Sequence, residues 1–164
     1  MNGLFHVYCG EGKGKTSAAV GLSLRAAGSG MRVLFVQFFK DGTSSEIAPL
    51  RAAGVQVLCE RRFGRGEAGA RAAKDAYQRL LEEALARAKE FDLLVLDEGA
   101  AAFSRGCARE EDLLSFLEGE HCETVLTGRA PSAALLARAD YCTEMRKVRH
   151  PFDAGVRARR GIEF

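Results

Sequence analysis

The sequence predicts an α/β domain: one doubly wound, mainly parallel sheet with a phosphate-binding loop after its first strand. Three observations carry this expectation. Gly10-Glu11-Gly12-Lys13-Gly14-Lys15-Thr16-Ser17 stands between an apolar run, Leu4 to Cys9, and a helical stretch from Ala18 to Arg25. Short apolar runs alternate with helical patterns along the chain. One of those runs, Arg32 to Phe38, is nearly continuous in apolar residues, as a parallel strand covered on both faces is.

The first strand, glycine loop and helix together make an anion cradle. Glycines let backbone amides turn toward the anion, the helix N-terminus adds partial positive charge, and Lys15 follows the last glycine. Thr16 supplies a hydroxyl of the kind that ligates magnesium. The spacing is unusual: Gly10 and Gly14 are separated by three residues, where the common nucleotide loop has four before its Gly-Lys. Lys13 lies inside the loop as a second lysine, an arrangement suited to holding a triphosphate as a whole.

After Gly28-Ser29-Gly30 comes the second strand, then a polar loop from Lys40 to Ser45 and a short helix ending near Ala53, with Gly54 as its cap. Val55 to Cys59 is the third strand. A charged loop, Glu60 to Gly66, surrounds Phe63 and leads into a long helix, Glu67 to Glu90, with Tyr77, Leu80, Leu81, Ala84 and Leu85 on one face. Leu93 to Glu98 is the fourth strand, and Gly99 to Ala102 is featureless. A helix from Arg109 to Leu117, a fifth strand from Glu123 to Leu126, a helix from Pro131 to Arg138 and an edge strand from Tyr141 to Lys147 complete the pattern. The tail, 148–164, mixes basic, aromatic and glycine residues without a helical or strand period.

With 164 residues, 47% hydrophobic and 28% charged, the chain reads as a single domain, 1–164, whose tail is either a frayed basic end, a nucleic-acid-contacting arm or a lid over a ligand. A net charge of +2 gives no nucleic-acid footprint by itself. The five cysteines have no metal-ligand spacing, and no run approaches a membrane span or a signal peptide, so a reduced, cytoplasmic protein is expected.

Asp97-Glu98 ends the fourth strand, beside the phosphate loop in such a sheet, where one carboxylate can hold magnesium and the other orient it. Thr127-Gly128-Arg129 follows the fifth strand at the same rim, which places Arg129 as a phosphate contact. Gln37, Phe38 and Lys40 reach that rim from the second strand. His6 is expected to be a packed residue and His121 to face solvent. There is no serine elbow and no cysteine–histidine pair, so an enzyme here works by positioning and electrostatics, its nucleophile coming with the substrate.

The chain resembles the phosphate-loop family of ATP:corrinoid adenosyltransferases. The likeness lies in GEGKGKTS, RAAGSGMRVLFVQFFK, DLLVLDE, VLTGR and ADYCTEMRKVRHPFDAGVRARRGIEF, which together span nearly the whole chain. The resemblance implies transfer of the 5′-deoxyadenosyl group of ATP to the cobalt of a reduced corrinoid, with release of triphosphate. Gly10, Glu11, Gly12, Lys13, Gly14, Lys15, Thr16 and Ser17 hold the triphosphate with Arg129. Lys15, Thr16 and Glu98 carry the chemistry, and Thr16, Asp97 and Glu98 are the residues for Mg2+. Phe63, Arg65 and Gln37 are assigned to the corrinoid. Members of this family place a phenylalanine and a tryptophan in the loop after the third strand; Phe63 keeps the first, and Arg65 stands near the second. A flavoprotein reductant, a homodimer, and the absence of nucleic-acid or membrane partners complete the implied picture. Two other readings stay open: a phosphate-loop ATPase or kinase, which releases ADP, and a corrinoid-binding relative without turnover.

Overall fold

Six strands form one sheet in the order β3-β2-β4-β5-β1-β6, and every pairing is parallel. The computed structural model describes residues 3–60, 63 and 66–164. The strands are β1 (Phe5–Cys9), β2 (Val33–Gln37), β3 (Gln56–Cys59), β4 (Leu93–Asp97), β5 (Glu123–Thr127) and β6 (Tyr141–Glu144). Between them run α1 (Lys15–Gly28), α2 (Ile47–Ala52), α3 (Gly66–Arg87), α4 (Gly99–Ser104), α5 (Glu110–Glu118) and α6 (Ala133–Arg138).

The central strands β2 and β4 are buried at every position, which accounts for their apolar sequences up to Gln37 and Asp97 at their ends. Alternate residues supply two cores. Val33, Phe35, Leu93, Val95 and Val125 face Ala19 and Ala26 of α1 and Leu50 of α2. Leu34, Val36, Leu94, Leu96 and Leu126 face Tyr77, Leu81 and Ala84 of α3, with Leu113 and Leu117 of α5. Past Lys15 at its start, the buried positions of α1 are short side chains, Ala19, Ser23 and Ala26, so this helix lies close on the sheet and brings the glycine loop over the strand ends. Gly54, with φ 84, follows the last turn of α2 as the sequence leads one to expect.

Helix α4 is absent from the expected pattern. The residue before it, Glu98, adopts the left-handed conformation (φ 59), and no side chain caps it. Packing holds it: Gly99 lies so close to Leu126 that an added Cβ would come within 2.7 Å of Cδ1, and its own Ala100 and Ala102 are buried. β6 takes the expected edge position beside β1, but it ends at Glu144, and all four of its residues are exposed. Past it the 148–164 segment turns back across the carboxyl ends of the strands, with one short 3-10 turn at Pro151–Ala154.

Candidate active site

The glycine loop joins β1 to α1, and Gly14 sits at the helix start with φ 121, a conformation that L side chains rarely adopt. Gly12 is required for a different reason. Its amide donates to the Met145 carbonyl at 2.6 Å, and an added Cβ would stand 2.5 Å from that same oxygen. The backbone leaving β6 is thus packed against the back of the loop.

The cations of the loop hold partners within the chain. Lys15 Nζ donates to the carbonyls of Gly10 (2.6 Å) and Gly12 (2.7 Å), and burial pulls its pKa below the ordinary lysine value. Lys13 Nζ donates to Glu163 Oε1 at 2.9 Å, and Arg129 Nη1 lies 3.4 Å from Glu11 Oε2. Glu163 also accepts from the amide and guanidinium of Arg159; Arg159 first and then Lys13 hold its carboxyl down to about 2.

Asp97 is fully buried at the end of β4. Its Oδ1 accepts from Thr16 Oγ1 (2.8 Å) and Thr127 Oγ1 (2.9 Å). Its Oδ2 accepts from Gln37 Nε2 and Lys40 Nζ, both at 3.3 Å. These bonds satisfy a buried carboxylate and fix the Thr16 hydroxyl at the head of α1. Glu98 is held by its amide, which donates to Thr127 Oγ1 at 2.9 Å, and its side chain borders the loop cavity. Phe39, with φ 57, and Glu98 are the two non-glycine residues with positive φ among those described, and both lie just past the ends of site strands. Such strain concentrates at functional sites.

Three cavities run in series across this rim. The first, about 230 Å³, is bordered by Glu11 to Ser17, Glu98 and Arg129, with Ile162 and Glu163 from the tail. The second, about 400 Å³, shares Thr16, Ser17, Ile162 and Glu163 with the first and adds Lys40 and Phe164. The third, about 490 Å³, shares Lys40 and Phe164 with the second and is walled by Phe39, Phe63 and Tyr77. There the Tyr77 ring stands 4.8 Å from Phe39 and 5.5 Å from Phe63, and the Arg105 guanidinium lies over Phe39 at 4.7 Å.

The structure therefore gathers Glu11, Gly12, Lys13, Gly14, Lys15, Thr16, Ser17, Glu98 and Arg129 around one cavity, with Gly10 behind it holding Lys15 through its carbonyl. Asp97 lies beneath that cavity. Gln37 is fully buried and turned toward Asp97 and Glu46, so it supports the rim and lines none of the three cavities. Phe63 is in the aromatic cavity; Arg65 lies outside the described residues. His121 does not face solvent: it is buried, with Nδ1 2.9 Å from the Cys122 carbonyl and its ring 5.8 Å from Phe116. Sequence reasoning missed Phe39, Tyr77, Glu163 and Phe164 as site residues. Tyr77 had a signal only as a packing residue, and the tail residues come into place through the long return of the chain.

The family model of the ATP:corrinoid adenosyltransferases BtuR/CobO/CobP matches residues 1–164. The chain belongs to the ATP:corrinoid adenosyltransferase family. Among similar proteins is the corrinoid adenosyltransferase CobA of Salmonella typhimurium, 33% identical over 99% of this chain and 86% of the relative. The corrinoid adenosyltransferase of Pseudomonas aeruginosa is 32% identical over 99% and 84%, and that of Escherichia coli K12 33% identical over 99% and 86%. The adenosyltransferase fold agrees with the expected class, with a sheet that is parallel throughout. Among its described residues, no helix is long and apolar enough to cross a membrane.

Proposed function

We propose that this adenosyltransferase binds the triphosphate of ATP in the glycine-loop cavity and the corrinoid in the aromatic cavity, and joins the 5′ carbon to cobalt between them. The observation that carries the reading is the series of cavities, each sharing named residues with the next. A reduced cobalt centre is itself the nucleophile, so the protein needs no base; it needs to hold two substrates in line and to stabilise the leaving triphosphate. Lys15, Lys13 and Arg129 supply positive charge, and the amides from Lys13 to Ser17 supply donors at the start of α1.

The donor set fits Mg2+. Thr16 Oγ1 and Glu98 border the loop cavity, while Asp97, already accepting four hydrogen bonds, orients Thr16. No cluster of three or more His, Cys, Asp or Glu suited to a metal occurs among the described residues. A site of one hydroxyl and one carboxylate completed by phosphate and water oxygens is Mg2+ chemistry. Bound there, the ion would offset charge on the triphosphate. The 148–164 segment covers the substrates, supported by Glu163 and Phe164, which border the cavities. The same reading includes a corrinoid reduced by a flavoprotein, a homodimer, a cytoplasmic setting and no nucleic-acid partner, supported by family membership and, for the last, by the net charge of +2.

The test is Lys15→Ala, assayed for adenosylated corrinoid and for the phosphate product. Loss of one preorganised donor costs about 2.7–4 kcal/mol, a fall in kcat of roughly 100- to 1000-fold, with the fold intact by circular dichroism. Retention of more than about a tenth of the rate at saturating ATP refutes the assignment. Release of ADP in place of triphosphate by the unaltered enzyme refutes the reaction.

A further inference from the structure

We propose that Lys40 is a catalytic residue of the transfer, its ammonium offsetting the charge that appears on the α-phosphate oxygen as that oxygen leaves C5′. The proposal rests on the assignment of the cavities above.

The balance of the reaction places that charge. Cobalt(I) donates an electron pair to C5′, a Co–C bond forms, and the C5′–O5′ bond breaks with its pair remaining on the α-phosphate. No proton moves, and the polyphosphate gains one unit of negative charge. That charge arises one bond from the reacting carbon, where the nucleotide and corrinoid cavities meet, and not deep in the glycine loop.

Lys40 and Phe164 are the residues bordering both the aromatic cavity and the groove leading to the glycine loop, and of these Lys40 is the cation. Lys15, Lys13 and Arg129 border the loop cavity alone of the three. The Lys40 side chain is 26% exposed and lines both cavities. Its ammonium carries three donors. One goes to Glu46 Oε1 at 3.1 Å and one to Asp97 Oδ2 at 3.3 Å, and no bond to a third described residue uses the remaining N–H. Burial works against its charge, but Asp97 and then Glu46 outweigh burial and raise its pKa above the ordinary lysine value. The two carboxylates also fix where it stands: Asp97 is anchored by Thr16 and Thr127, and Glu46 accepts from Gln37 at 2.8 Å. A fixed, permanently charged donor with one N–H directed away from its anchors is the arrangement that stabilises developing charge without reorganisation. Next to it Phe39 is strained at φ 57, a conformation found where a side chain must be aimed.

A purely structural lysine, present only to neutralise Asp97 and Glu46, predicts a different outcome, and the test separates the two. Lys40→Met, Lys40→Arg and the double variant Lys40→Met/Glu46→Gln are assayed with MgATP and chemically reduced cobalamin, alongside thermal melting. The double variant removes one anion together with the cation, so it relieves the buried charge imbalance whatever the role of Lys40. We expect Lys40→Met to lower kcat by about 100- to 1000-fold with the KM for ATP changed less than about threefold. Lys40→Arg keeps more of the rate than Lys40→Met, and the double variant melts with the wild type while staying as slow as Lys40→Met. Recovery of kcat in the double variant overturns the proposal, as does a Lys40→Met enzyme keeping more than about a tenth of the rate. Should Lys40→Met fail to fold, the double variant alone decides. Triphosphate release by the unaltered enzyme is measured in the same assay, so failure of the underlying reaction is told apart from failure of the role of Lys40.

Discussion

Gly12→Ala tests the idea that the chain leaving β6 shapes the phosphate cradle from behind. The new Cβ would stand 2.5 Å from the Met145 carbonyl oxygen and 2.8 Å from that of Arg146, both backbone atoms. Ordinary contact begins at 3.4 Å, so loop and neighbour must part by about 0.9 Å. Gly12 is not among the positive-φ glycines, so the effect is contact and not backbone strain. Parting lengthens the 2.6 Å bond from Gly12 to Met145, which costs about 0.5–1.5 kcal/mol of stability. A misplacement near 1 Å in a positioning site costs roughly 100-fold in rate. That equals about 2.7 kcal/mol in transition-state binding. The assay is kcat/KM for ATP at saturating reduced corrinoid, with melting temperature beside it. Gly28→Ala is the control: it ends α1 away from the three cavities, with nothing within 4 Å of the added Cβ, and it is expected to leave the rate unchanged and the helix no less stable. A Gly12→Ala enzyme within threefold of wild type in kcat/KM would show that the loop tolerates the shift and that β6 does not shape it.

Asp97→Asn places an amide N–H₂ among buried donors, and chemical denaturation is expected to register a loss of roughly 3–5 kcal/mol; a loss under about 1 kcal/mol contradicts the network described. For Glu163, whose pKa stands at about 2, the ion pairs add stability above the ordinary carboxyl value of 4.5, and this is lost progressively as pH falls from there through about 2. A carbon-13 titration should find its midpoint near 2 and find it raised in Lys13→Met; a midpoint at 4 or above speaks against the contact. Deleting 148–164 should raise the apparent KM for ATP or corrinoid severalfold with the sheet intact, and unchanged kinetics would make the segment a bystander.

Strands and the loop were legible because each is written in consecutive residues. The apolar sequences of β2 and β4 up to their last residues, and a glycine-lysine-threonine stretch ahead of a helix, need no tertiary context. Helix α4 was not legible in that way. Gly99 reads as a breaker, and only contact with Leu126 shows why a side-chainless residue begins a helix there; the following alanines were the available signal. His121 misled because a histidine beside Glu120 looks solvated, whereas Phe116 and Arg138 enclose it from α5 and the end of α6. Phe63, read as standing alone in its loop, meets Tyr77 and, through it, Phe39, residues that lie 14 and 24 positions away along the chain. The aromatic cavity is a product of two connections and a helix that lie apart in the chain, and no local pattern announces it.

The loop cavity is bordered by Lys13, Lys15 and Arg129, and equally by Glu11, Glu98 and Glu163. Its opposite charges are largely engaged with one another or with loop carbonyls, so the cavity projects little net field into solution. Small anions gain nothing by entering: chloride or a single phosphate can displace one partner while the rest stay paired. A long polyanion engages several cations at once and repays all the broken pairs together. Discrimination among anions then comes from chain length, and arrival of the nucleotide should depend only weakly on ionic strength, since little long-range attraction exists for salt to screen.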